Sequence, residues 1–163
     1  MREDMLGSGA PAPVQDHSTL RTVNTAAGRA CGPVRMRAAS LNMHDIGTLR
    51  GRLPIDRYAM ILGCDGAGVL ADGTEVVIPP CVNDPGWIGP ETLDPGRSVL
   101  SGRFPGTFAE SVAVPARNVV AKPPSLSFAE AACTGTAWLT AYRMLFVHSG
   151  LRPGQHALVR GRP

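Results

Sequence analysis

Short alternations of apolar and polar residues run through the middle of the chain and predict a sheet. Residues 34–39 alternate apolar and basic side chains, as a strand does when one face is buried and the other meets water. Residues 106–114 alternate in the same way, and apolar runs at 75–78 and 119–121 predict two shorter strands. Asp72-Gly73 predicts a hairpin turn just before the run at 75–78. The middle of the chain is therefore predicted to be all-β.

A glycine-rich stretch at residues 63–70, Gly-Cys-Asp-Gly-Ala-Gly-Val-Leu, follows the apolar run 60–62. Because small residues let the backbone turn sharply or approach another group closely, we predict a bend between two strands here. Cys64 and Asp65 lie at its centre, and both are potential metal ligands. A hairpin corner that holds a small buried cysteine explains the same residues equally well.

A short helix is predicted directly after the first strand. Ile46 and Leu49 have helical spacing, and Gly51 ends the segment. Asn42 or Asp45 can cap its first turn. Polar side chains at such a strand-to-helix junction are also a common place for a functional site.

The C-terminal part of the chain is predicted to be helical. Ser127, with Glu130 three residues later, fits a capping box that opens a helix. Residues 136–147 have helical spacing and predict a second, longer helix, and residues 155–160 predict a new strand after it. Residues 1–30 show no sustained period, so we expect a poorly ordered N-terminal segment.

Composition excludes several classes of protein. The formal charge of +3 is small and no basic cluster with interleaved aromatic residues occurs, so we expect no nucleic-acid partner. No apolar run reaches membrane length and no export signal is recognisable, so we expect a cytoplasmic protein that does not bind a membrane. Its four cysteines are widely spaced, which argues against a structural zinc module. The 19 glycines and 15 prolines favour strands and loops over a helix bundle.

The order and spacing of six motifs resemble the medium-chain dehydrogenase/reductase superfamily, specifically the zinc-type alcohol dehydrogenase and quinone oxidoreductase group. Each motif alone is weak, but together they are specific and extend over residues 33–160. The motifs occupy residues 34–45, 61–69, 106–116, 126–132, 139–142 and 151–154.

The resemblance implies a mainly β fold with C-terminal helices: a GroES-like partial β-barrel followed by the first strand of an incomplete Rossmann domain. We expect a catalytic domain over residues 31–148 and the start of a dinucleotide-binding domain over 149–163. In the family the first Rossmann strand runs into a Gly-rich phosphate loop, whereas this chain has Gly161-Arg162-Pro163. We therefore expect that the chain alone neither binds NADPH tightly nor turns over.

The resemblance also implies a site without zinc. The zinc-ligand positions of the family correspond here to Asn42, to Cys64 at the glycine-rich stretch, and to a position near Thr136. Because an amide is a poor zinc ligand, we expect no metal and assign no catalytic residue. A trio of His44, Cys64 and Cys133 is the alternative metal site, but the family does not use His44 or Cys133 for metal.

In the zinc-free branch, the resemblance implies that Asn42 and Asp45 border the nicotinamide and that Thr140 contacts it. The alternative is structural: Asn42 and Asp45 cap a helix, and Thr140 bonds within its own helix. The implied cofactor is NADP, and the implied partner is a small carbonyl or quinone substrate, with a homo-oligomer left open. Two other functions stay open: a zinc-dependent alcohol dehydrogenase, and a non-enzymatic association module or remnant of a broken gene.

Overall fold

The structure, a computed structural model, describes residues 33–53, 59–84 and 86–161 of the chain. The predicted N-terminal segment at 1–30 lies outside these residues. The strands of the described part are β1 Val34–Ser40, β2 Asp65–Val69, β3 Glu75–Ile78, β4 Cys81–Val82, β5 Ser98–Val99, β6 Ser111–Val112 and β7 Val120–Ala121.

Five of these strands form one antiparallel sheet in the order β6-β1-β2-β3-β7, and β4 pairs with β5 in a second, two-stranded sheet. The helices are α1 Met43–Leu49, α2 Phe128–Ala132 and α3 Leu139–Tyr142. Wider π-helical turns at Thr134–Trp138 and Arg143–His148 flank α3, and we call residues 134–148 together the C-terminal helix. The predicted mainly β fold with C-terminal helices is confirmed, and the sheet is open rather than closed into a barrel. No helix of the described residues is long and apolar enough to cross a membrane.

Strand β3 shows why the sheet can bury both of its faces. Its side chains alternate between faces, so that Val76 and Ile78 enter one apolar cluster while Val77 enters the other. The second cluster includes Ala131 and Ala132, through which α2 packs on the sheet. The first cluster holds the buried residues Val34, Val76, Ile78, Val82, Leu100, Val112 and Val114.

The glycine-rich stretch forms a strand rather than the predicted bend. Gly66 and Gly68 lie inside β2. An added Cβ at Gly66 would clash with the Met36 side chain of β1, and one at Gly68 would clash with the Arg35 carbonyl oxygen of the same strand. The turn lies one step earlier, at Gly63, whose φ of +100° favours glycine. Residues 60–62 lead into it without forming a strand. The small residues therefore serve close strand packing rather than a sharp corner.

The hairpin turn at Asp72-Gly73 is confirmed. The Leu70 N–H donates to the Thr74 carbonyl at 2.9 Å, and Gly73 has a φ of +89°. The Asp72 carboxylate accepts the Thr74 N–H at 2.9 Å, which closes the turn between β2 and β3.

One predicted strand is shorter than expected and another does not form among the described residues. The strand predicted at 106–114 is limited to β6, because the preceding residues bond to the irregular segment before β2 instead. Gly106 N–H donates to the Ile61 carbonyl at 2.7 Å, and Phe108 N–H to that of Leu62 at 2.9 Å. The predicted strand at 155–160 is wrong: these residues are exposed, and no strand of the described part pairs with them.

Candidate functional site

The carboxylate of Asp65 joins three separate parts of the chain at the start of β2. Thr136 donates its N–H to Oδ2 at 2.8 Å and its hydroxyl to Oδ1 at 2.7 Å. Asn42 Nδ2 donates to Oδ2 at 3.1 Å, and Ser40 Oγ at 3.4 Å. Asp65 is only 1% exposed, so these bonds replace the water that a buried carboxylate loses. Gly135 lets the C-terminal helix lie close to Asp65, because an added Cβ at this position would be only 2.6 Å from Asp65 Oδ1.

Asp45 plays a similar role at the start of α1. Its Oδ2 accepts the backbone N–H of Asn42 at 2.9 Å, and its Oδ1 accepts that of Gly63 at 2.9 Å. The predicted capping is therefore present, with Asn42 as the residue before the helix and Asp45 as the acceptor. The buried Asp45 carboxylate also fixes the turn that positions Cys64. The side-chain amide of Asn42 also donates to the Asp65 carboxylate.

Cys64 follows the Gly63 turn, and its buried side chain is surrounded by polar groups. Its Sγ is 3.3 Å from His44 Nδ1 and 3.4 Å from Ser101 Oγ, and it donates to the Leu100 carbonyl at 3.5 Å. Burial raises the pKa of the Cys64 thiol to about 11; the hydrogen bond from Ser101 lowers it, and the nearby Asp45 carboxylate raises it further. The side chain is therefore a neutral thiol at neutral pH.

Among the described residues, one group could offer three metal ligands: His44, Asp45 and Cys64, whose ligand atoms all lie within 4.8 Å of one another. Both oxygens of Asp45 already accept a backbone N–H, and Cys64 would have to lose a proton that its surroundings retain. Of the alternative trio, His44 does meet Cys64, but the exposed Cys133 is not part of this group.

The positions that the resemblance relates to family zinc ligands carry an amide, a thiol and a hydroxyl. Asn42 and Thr136 offer an amide and a hydroxyl, and both are hydrogen-bonded to Asp65. Only Cys64 offers a donor that zinc prefers, and its Sγ bonds elsewhere. Asn42 and Thr136 are therefore held together by the buried carboxylate of Asp65, whereas Cys64 is not.

The structure divides the three predicted cofactor residues between two places. Asn42 and Asp45 lie beside Asp65 and the Gly63 turn, whereas Thr140 is exposed on the C-terminal helix and lines a cavity of about 510 Å³. Gly135, which packs against Asp65, lines the same cavity. The cavity therefore extends from Thr140 to the edge of the Asp65 cluster.

Sequence reasoning missed two buried hydroxyls that support this cluster. Thr107 is 1% exposed and donates its hydroxyl to the Asp65 carbonyl at 2.7 Å. Ser101 contacts both Cys64 and His44 and has a φ of +67°, which is unusual for a residue other than glycine. No local pattern marks either residue, because their partners lie far away along the chain.

A family model matches the part of the chain that builds this sheet and site. The alcohol dehydrogenase GroES-like domain model matches residues 33–124, more than half of the chain. The chain belongs to this family. It is thus a member of the medium-chain dehydrogenase/reductase superfamily of oxidoreductases, as its motifs indicated. Thr136 and Thr140 lie beyond the matched range.

Relatives and solved structures agree with this assignment. The chain is 32% identical over 112 residues to a zinc-type alcohol dehydrogenase-like protein of Schizosaccharomyces pombe, covering 69% of this chain and 31% of the relative. It is 45% identical over 58 residues to the crotonyl-CoA carboxylase/reductase of Cereibacter sphaeroides, covering 34% and 14%. A solved NAD-dependent alcohol dehydrogenase superposes with a TM-score of 0.75 at 32% identity, covering 83% of this chain and 43% of that one. The chain thus spans less than half the length of each.

Proposed function

We propose that this chain forms the substrate and nicotinamide wall of a zinc-independent, NADP-dependent reductase that acts on a small carbonyl or quinone compound. The observation that supports it is the Asp65 carboxylate, which holds Asn42 and Thr136 by hydrogen bonds. Zinc-dependent members of the superfamily need metal ligands at these two positions. A site organised by a carboxylate can still orient a polar ligand without a metal.

The relatives support the type of reaction. One is described as an NAD-dependent alcohol dehydrogenase and another as a carboxylase/reductase. Both names describe nicotinamide or reductase chemistry, in which the cofactor supplies the reactive hydride and the protein supplies binding and orientation. We extend this division of roles to the present chain.

Three side chains are proposed to face the nicotinamide and its substrate. Thr140 offers an exposed hydroxyl in a cavity of about 510 Å³, which suits a carboxamide that needs a hydrogen-bond partner. Asn42 offers an amide beside the Asp65 cluster, and Asp45 fixes the backbone of Asn42. Hydroxyl and amide groups can orient a carboxamide or a carbonyl oxygen without the desolvation of a charge.

Saturation-transfer NMR with NADPH and the full chain tests this proposal, because the method detects weak binding. We expect stronger transfer to the nicotinamide protons than to the adenine protons, and a loss of the nicotinamide signal in Thr140→Val. Thr48→Val is the control, since the Thr48 hydroxyl bonds to the His44 carbonyl within α1. Transfer to the adenine ring alone, or an unchanged signal in Thr140→Val, would contradict the proposal.

Metal analysis separates this proposal from a zinc-dependent alcohol dehydrogenase. Protein purified without added zinc is expected to carry no stoichiometric zinc. One equivalent of zinc that Cys64→Ser removes would favour the zinc-dependent alternative.

A further inference from the structure

Three of the described arginines line the cavity beside the C-terminal helix. Its walls include Arg97 and Arg117 from the loops and Arg143 and His148 from the C-terminal helix. Glu91 is the one acidic side chain among the described residues that line it. The arginines come from three distant parts of the chain, and the fold brings them to one cavity.

Only part of this charge is compensated inside the described residues. Arg117 pairs with Glu91 at 3.4 Å and also donates to the Asp84 carbonyl at 3.1 Å. Arg97 and Arg143 have no acidic partner in the part of the chain that the structure describes. Two guanidinium groups that line the cavity are therefore not paired with any acidic side chain among the residues that the structure describes.

The remaining walls strengthen the effect of these two charges. Apolar walls exclude water and lower the local dielectric constant. A charge beside them therefore attracts a ligand of opposite charge more strongly than it would in open solvent. The apolar part of the lining consists of Pro79, Pro80, Val120, Leu139 and Met144. A guanidinium can bind a carboxylate or phosphate through two parallel hydrogen bonds.

We propose that this cavity binds the oxyanion of a small anionic molecule, a carboxylate or a phosphate group, through Arg97 and Arg143. The proposal goes beyond hydride transfer and needs no nicotinamide. The ligand of this cavity is therefore expected to carry an anionic group, whatever reaction the protein takes part in.

An exposed cysteine provides a probe in the same cavity. Cys81 is exposed and lines the cavity, whereas Cys133 is exposed but does not line it. The full chain is treated with iodoacetamide in sodium phosphate, sodium acetate or sodium chloride at equal ionic strength, and alkylation at each cysteine is followed by peptide mass spectrometry. We expect phosphate or acetate to slow alkylation of Cys81 relative to chloride, with Cys133 unchanged.

Variants then assign the effect to the two arginines. The phosphate or acetate concentration that half-protects Cys81 should rise about tenfold in Arg97→Gln or Arg143→Gln, because each removes a charge-assisted contact. Arg50→Gln is the matched control, since Arg50 is exposed and does not line the cavity. Circular dichroism confirms that each variant keeps its fold, and the comparison of salts on the unaltered chain needs no variant.

Each outcome decides the proposal. Protection by phosphate alone would favour a phosphate group, protection by acetate alone would favour a carboxylate, and protection by both would show that the cavity accepts either oxyanion. Equal rates in all three salts would overturn the proposal, as would protection that both arginine variants retain. None of these results depends on nicotinamide binding, so the reductase proposal can fail or hold independently.

Discussion

Thr136 binds both carboxylate oxygens of Asp65, a residue 71 positions earlier in the chain, with its N–H at 2.8 Å and its hydroxyl at 2.7 Å. This pair fixes the start of the C-terminal helix against the start of β2. Asn42 joins the same carboxylate from the start of α1. One buried acid therefore orders the three elements that carry the candidate site, and four predictions test this arrangement and its surroundings.

Replacing Asp65 by Asn should destabilise the fold. The amide nitrogen would face donors from Asn42 or Thr136 and leave a buried donor without a partner, at a cost of about 1–3 kcal/mol. Urea unfolding measures the loss, with Glu110→Gln as the control because Glu110 is exposed. If both variants unfold at the same urea concentration, Asp65 is not the centre of this cluster.

Gly135→Ala should loosen the contact between the C-terminal helix and β2. The new Cβ would lie 2.6 Å from Asp65 Oδ1 and 3.1 Å from Pro80 Cδ, so the helix must shift at a cost of roughly 1–3 kcal/mol. Gly161→Ala is the control, since nothing lies within 4 Å of its added Cβ. Thermal unfolding of both variants checks this, and equal melting temperatures would argue against the close approach.

Cys64 should make the protein less stable in alkaline solution. The pKa of its thiol is raised by burial from 9.0 to about 11, so the unfolded chain releases this proton at lower pH than the folded one. The contribution of the protonated Cys64 thiol to the stability of the folded state is fully present below pH 9 and is lost as the pH rises toward 11. Urea unfolding at several pH values should show a steeper alkaline loss for the unaltered chain than for Cys64→Ser. Parallel curves would contradict the raised pKa.

Asp94 should hold the loop that forms one wall of the cavity. Burial tends to raise its pKa, but hydrogen bonds from the backbone of Asp84 and Gly96 and from the Asn83 side chain outweigh it, so the pKa lies below its usual value. The loop is therefore most stable above the ordinary aspartate pKa and loosens as the pH falls through the lowered one.

Hydrogen exchange at neutral pH measures this directly. The Asp84 and Gly96 amides should exchange faster in Asp94→Asn than in the unaltered chain. Asp72→Asn is the control, because among the described residues that carboxylate bonds within the turn before β3. Unchanged exchange rates at both amides would show that Asp94 does not stabilise this loop.

The sequence by itself determined the elements whose signals are local. The alternation at 34–39 predicted β1, and the hairpin at Asp72-Gly73 has its predicted turn. The capping box at the start of α2 is present, with the Ser127 N–H bonded to the Glu130 carboxylate at 2.8 Å. Periodicity and short-range hydrogen bonds involve residues that are adjacent along the chain, so their chemistry is readable from the order of residues.

Only the tertiary structure decided how distant residues meet. Residues 106–108 bond to the segment before β2, and none of the described strands pairs with residues 155–160. The tertiary structure also brought Asn42 and Thr136 to Asp65, which turned a candidate metal ligand into the acceptor of a buried hydrogen-bond network. Such contacts depend on packing between elements, and a buried carboxylate has the same sequence signal whether it binds a metal or hydrogen-bond donors.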